Sequence, residues 1–223
     1  MERSSDGSRG PSKLPMYWAM NGQAAIRTTW TWKLSFQWIV AGLITCLFAW
    51  LTYSGQGWIP FLSSADLAIH EFGHMVTFWA PQLLLQAAGS FMQVALPLGL
   101  GAYFWLRRDR FAVILMIAWA AESLNNVSVY IYDATRMVLP LLGDDGSGAG
   151  HDWHNILGRL GLLGHTDGIA YTARGLSCML FAAAFGLAAW WWAQVRRGSL
   201  RTGGRDRWRS NSVGSRPSGS TRW

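Results

Sequence analysis

The chain has 223 residues, of which 51% are hydrophobic, 14% are charged and 15 are tryptophan. Charge is nearly absent from four long stretches and crowded at the ends, which excludes a disordered chain, a collagen-like repeat and an ordinary water-soluble domain. The net charge of +7 equals that of 196–223 alone, where eight Arg stand against Asp206. The basic balance therefore reports a tail suited to anionic lipid headgroups and excludes a nucleic-acid surface.

Taken in order, 1–33 is a basic flank rich in Ser, Gly, Pro and Arg without apolar periodicity, and composition predicts it to be disordered. An uncharged run at 34–53 follows. It is too long, and begins too late, for a cleavable signal peptide. The stretch 59–80 is also apolar but carries Asp66, His70, Glu71 and His74. Runs at 82–106, 111–132 and 168–195 come next, each long enough for a helix to cross about 30 Å of hydrocarbon. The connection 133–167 holds five Asp, and 196–223 is predicted to be a second disordered basic tail. Tyr and Trp near the segment ends suit interfacial anchors. Cys46 and Cys178 lie inside apolar runs and form no disulfide framework or zinc-finger pattern.

These features predict an all-α, multi-pass transmembrane bundle of four to five helices spanning 34–195. Of 19 Lys and Arg, 16 fall in the N-terminal flank, in the cluster Arg107, Arg108 and Arg110, or in the C-terminal tail. Placing all three clusters in the cytoplasm satisfies the positive-inside rule, with both termini inside and 133–167 outside. Only two crossings then fit before Arg107, although three segments compete. Either 59–80, with its ionisable residues, or 82–106, interrupted by Pro97, Gly99 and Gly101, is re-entrant or interfacial.

Residues 70–74 read His-Glu-Phe-Gly-His. Two His at i and i+4 share one helix face and can reach one Zn²⁺, and the Glu between them is placed to take a proton from a water that the metal activates. With five His and three Glu in the chain, about 0.0015 accidental matches are expected for this motif definition. Ionisable side chains in an apolar segment also need a reason to be there.

His70-Glu71-Phe72-Gly73-His74 in an apolar helix of a small multi-pass chain resembles, in divergent form, the site-2-protease-like intramembrane zinc metallopeptidases, peptidase family M50. The Gly before the second His is common to that group. The resemblance covers this helix and the general architecture. It implies a peptide bond cleaved within or beside the membrane, with His70 and His74 as ligands and Glu71 as general base. The family's usual third ligand, an Asp in an Asn-Pro-x-x-Asp-Gly-like stretch of a later helix, has no counterpart here. Gly143-Asp144-Asp145-Gly146 is a poor substitute.

A catalytic zinc site needs a third protein ligand and an open position. Glu122, near the middle of 111–132, is the first candidate, because it meets His70 at similar depth if both helices cross. With Asn125, Asn126, Asp133 and Arg136 it forms a stripe about 100° wide that must face protein or water. An interhelical role, with Arg174 as one partner, competes. His151, Asp152 and His154 in the outer connection form the second candidate group, although an N-cap Asp152 on an interfacial helix explains that stretch without metal. Asp66, one turn before His70, either orients its imidazole or lies at the wet interface. Ser90 and Gln93 either line a substrate groove or pack helices together.

The expected function is a zinc-dependent peptidase, holding one Zn²⁺ and acting on a protein or peptide substrate at the lipid bilayer. The alternative is a membrane metal-binding protein without hydrolysis, such as a transporter or sensor. Glu71 separates the two, since binding alone needs no base between the ligands.

Overall fold

The computed structural model of the chain describes residues 16–54, 59, 61–140 and 150–213. Regular structure among them is helical throughout: α1 (Met16–Ser54), α2 (Leu62–Val76), α3 (Gln82–Leu106), α4 (Arg110–Asp133), α5 (Asp152–Arg159) and α6 (Thr166–Val213), with a 3₁₀ turn at Leu163–His165. Among the described residues, four helical segments are long and apolar enough to cross a membrane: Ser35–Ser54, Gln82–Leu106, Arg110–Asp133 and Leu163–Gly198. The chain is an all-α, integral membrane protein of the multi-pass type.

α2 is not among these four segments. Its 15 residues span about 22 Å at 1.5 Å per residue, short of the roughly 30 Å of hydrocarbon. Its start is fixed by Phe61 in the left-handed region (φ 66°) and by the Ile59 N–H, which donates to Ser63 Oγ at 2.9 Å. α3, in contrast, runs unbroken through Pro97 for 25 residues. Transmembrane helices tolerate such a proline because neighbouring groups re-satisfy the backbone it frees.

The helices also extend where composition predicts disordered flanks. α1 already begins at Met16 and α6 continues to Val213. No proline lies between Pro15 and Pro60 or between Pro140 and Pro217, and lengthening an existing helix avoids the cost of a new nucleus. The rest of both tails, 1–15 and 214–223, lies outside the described residues, as do 141–149 with Gly143-Asp144-Asp145-Gly146.

The chain divides into two compact units, one of Met1–Phe36 with Gln194–Trp223 and one of Gln37–Ala193. The described parts of the first are helical. In the second, α4 is the central helix, with 56% of its apolar window buried against 22–28% for the other three spans. Ser177 of α6 links its neighbours at depth, donating to the Ala121 carbonyl of α4 and meeting Tyr53 Oη of α1 at 2.7 Å. At the tight α3–α4 turn, Arg108 adopts φ 62°, and Asp109 caps α4 by accepting from the Ala112 N–H at 3.0 Å. Arg110 lies over the Trp105 ring at 3.7 Å, a pairing suited to a membrane interface.

Parity then positions the site. With α1, α3, α4 and α6 crossing, the α1–α3 connection that carries α2 opens on the same side as the α4–α6 connection that carries α5. Leu157 of α5 joins Val127, Ile131 and Ala134 from α4 and its end, and Ala170 and Ala173 from α6, in one buried apolar cluster.

Candidate metal centre

α2 reaches the centre because α3 lets it approach. A Cβ on Gly73 would stand 2.5 Å from the Ala88 carbonyl oxygen, so a larger residue would force the two backbones apart. The glycine in the motif thus has a packing reason. One turn away, the His70 ring lies directly over Gly89, where a Cβ would come within 2.6–2.7 Å of three ring atoms. Nothing in sequence periodicity marks Gly89 for that role.

The third side chain of the cluster, Asp152, comes from α5. His70 Nε2 and His74 Nε2 each lie 3.2 Å from Asp152 Oδ2. His70, His74 and Asp152 form the one such cluster found among the described residues, their ligand atoms all within 4.8 Å of one another. A tetrahedron with bonds of about 2.0–2.1 Å has edges of about 3.3–3.4 Å, so the two 3.2 Å separations fit a zinc ion's nitrogen and oxygen ligands.

Hydrogen bonding supplies a second test of fit. His74 Nδ1 is 2.8 Å from the Leu85 carbonyl, which can only accept, so Nδ1 carries a proton. In neutral His74 the Nε2 lone pair therefore points at an Asp152 carboxylate oxygen, an arrangement that suits a proton or a metal cation between them. The hydrogen bond to Asp152 is the main cause raising His74 above the ordinary imidazole value of 6.5. Burial pushes the Asp152 carboxyl up, but hydrogen bonds from His70 and His74 outweigh it and hold the group below the usual carboxylate range. A backbone carbonyl on the second ring nitrogen is the arrangement that fixes a metal-ligating histidine's tautomer.

Glu71 is half-buried and close enough to His74 to act on it electrostatically.

The structure does not bring Glu122 to this cluster. Glu122 is buried, accepting from Asn126 Nδ2 at 2.7 Å, and Asn126 also donates to Asp66 Oδ2 at 3.4 Å. Asp66 itself is buried and accepts from Trp119 Nε1 at 2.9 Å and from Ser123 Oγ at 3.1 Å. It tethers α2 to α4, and neither orients His70 nor sits at a wet interface. Arg174 lies over the Tyr53 ring rather than pairing with Glu122. The polar stripe of α4 does face protein, since Glu122, Asn125 and Asp133 are all buried.

His151 is likewise not a member of the cluster. It caps α5, its Nδ1 accepting from the His154 N–H at 3.2 Å, which leaves Asp152 free to turn into the site. Its Nε2 faces Asp133 Oδ2 at 3.4 Å, and burial holds it below the ordinary imidazole range. Asp133 also accepts from the Val138 and Leu139 N–H groups, both at 3.0 Å, folding the chain back after α4. His154 Nδ1 meets the Ala134 carbonyl at 2.7 Å, so it braces α5 against the end of α4. Ser90 accepts from Trp153 Nε1 at 3.0 Å, which joins α3 to α5 beside Asp152, and Gln93 is buried.

Comparison with protein-family models, curated proteins and solved structures gives no match to the chain.

Proposed function

We propose that this chain is a zinc-dependent membrane peptidase, a divergent relative of the site-2-protease-like metallopeptidases. The observation that carries the reading is the convergence of His70 Nε2, His74 Nε2 and Asp152 Oδ2, with the His74 proton held on Nδ1 by Leu85 and a carboxylate, Glu71, between the two His. A structural metal site needs no such carboxylate, whereas hydrolysis needs a base.

His70, His74 and Asp152 would hold the ion. Bound there, zinc supplies the Lewis acidity that brings a water's pKa toward neutrality and polarises an amide carbonyl. Glu71 takes the proton from the attacking water and returns it to the departing amine. Asp152 takes the place of the Asp that the family draws from a later helix, here contributed by a short helix in a connection. The substrate is a peptide segment in or beside the bilayer, since α2 belongs to a chain whose long helices are apolar. The three basic clusters orient the protein with both termini in the cytoplasm, which puts the metal centre toward the outer face.

The test is Glu71→Gln, assayed by mass spectrometry for new termini in membrane-segment peptides presented in detergent. Cleavage should fall by about 10²–10⁴-fold with metal content unchanged. Cleavage undiminished in Glu71→Gln refutes the peptidase, and a zinc-loaded variant set with no base-dependent chemistry leaves a binding protein.

A further inference from the structure

Tyr130 stands near the end of α4, where a tyrosine ordinarily reads as an interfacial anchor. Its surroundings are different. The ring stacks on His151, with centroids 4.5 Å apart and planes at 29°, and meets His70 edge-on at 5.8 Å. The Asp152 N–H donates to its hydroxyl oxygen at 3.0 Å. His70 of the cluster, the α5 cap His151 and a backbone donor therefore fix both the ring and the oxygen. The carboxylates of Asp152 and Glu71 both lie within electrostatic reach of it.

The position of the hydroxyl proton follows from what the oxygen already does. One lone pair is taken by the Asp152 N–H. Toward the site, the hydroxyl contacts Asp152 Oδ2 at 3.5 Å, well beyond the 2.5–3.0 Å of a good O–H···O bond. A phenol carries its proton at neutral pH. Tyr130 thus presents a weakly engaged donor beside the oxygen on which both imidazoles converge, and its direction is preset by packing rather than by substrate.

We propose that Tyr130 is a catalytic residue, donating its hydroxyl hydrogen bond to the scissile carbonyl oxygen as that oxygen gains negative charge. The assignment rests on the peptidase reading above. A donor already oriented before the charge develops costs no reorganisation at that moment, which is what makes such groups effective. The rival role is purely structural, with the hydroxyl serving only as acceptor for the first-turn N–H of α5.

Tyr130→Phe separates the two, because it keeps both ring contacts and removes only the hydroxyl. The probe is a peptidyl phosphinate, whose tetrahedral anion mimics the charged oxygen, with the uncharged peptide of the same sequence as reference. Binding is followed through tryptophan fluorescence, and zinc per chain is measured on the same samples. The proposal expects phosphinate affinity and kcat to fall together by about 10²–10³-fold. Zinc content, melting temperature and reference-peptide affinity should stay near wild type. Equal phosphinate binding by wild type and Tyr130→Phe overturns the assignment, while Glu71-dependent cleavage leaves the peptidase reading intact. Loss of zinc in Tyr130→Phe also overturns it, in favour of a role in holding Asp152. If the wild type is zinc-loaded but binds no phosphinate and cleaves nothing, both readings fall. If Tyr130→Phe does not fold, 3-fluorotyrosine at position 130 decides: a stronger donor should tighten phosphinate binding, and unchanged affinity overturns the proposal.

Discussion

Gly89→Ala should damage metal binding far more than it damages the fold. The new Cβ would stand 2.6–2.7 Å from three atoms of the His70 ring, whereas ordinary carbon contacts lie near 3.5–4.0 Å. The ring must retreat by roughly 1 Å on this comparison, and metal sites tolerate only about 0.2 Å in ligand distance. Zinc affinity should therefore drop by about 100-fold or more, since even partners outside the ligand set cost 10–100-fold. The fold suffers less. Crowding of this kind costs about 1–3 kcal/mol, and replacing a helical Gly by Ala returns about 1 kcal/mol. Gly73→Ala supplies the contrast, because its Cβ meets the backbone of Ala88 at 2.5 Å, which no rotamer can relieve. It should lower the melting temperature of the metal-free protein more than Gly89→Ala does. The assay is zinc competition against a chelator of known affinity, with thermal melts of metal-free samples. A Gly89→Ala protein that binds zinc like wild type would refute the placement of His70 over Gly89.

Asp152→Ala should weaken zinc binding by about 100-fold or more on the same scale, while Glu122→Gln leaves it unchanged; the reverse order in a chelator competition would restore Glu122 as ligand. The His74 pKa is raised by Asp152, so in metal-free protein this contact stabilises fully below about pH 6.5 and fades as pH rises through the raised value. Because zinc must displace that proton, the rise in melting temperature on adding zinc should grow from pH 6 to pH 8, and a pH-independent rise would count against it. Reporter fusions after Arg110 and in the C-terminal tail should read cytoplasm and one at Gly150 should read outside; an outside reading at Arg110 would remove the four-crossing arrangement.

How far sequence reached depended on what each signal measures. The His70/His74 spacing was legible because i and i+4 share a helix face whatever surrounds them. The four helices of crossing length were legible for a similar reason, being set by apolar length. α2 was not, because hydropathy counts apolar residues without regard to whether they are helical. Residues 59–61 and 77–80 are apolar enough to extend the run, yet Phe61 at φ 66° and the turn after Val76 confine the helix to 15 residues. Matching Glu122 to His70 by depth holds only if both helices cross, and α2, at 15 residues, is shorter than the four helices of crossing length. The sequence pattern offers Asp152 as the cap, whereas the cap is its neighbour His151, a difference of one residue that decides where the carboxylate points. Gly89 and Tyr130 carried no signal of their own, since small residues in α3 and a tyrosine near a membrane boundary have ordinary packing explanations.

The most direct measurement is zinc content together with X-ray absorption at the zinc edge, on wild type, His74→Ala and Asp152→Ala. A zinc centre at His70, His74 and Asp152 requires one zinc per wild-type chain, two imidazole nitrogens at about 2.0–2.1 Å and a carboxylate oxygen at about 2.0–2.2 Å. Either variant should hold little zinc while keeping the helical content of the wild type. A folded wild type that takes up no zinc at pH 8, or one whose bound zinc is undisturbed by both substitutions, would contradict it.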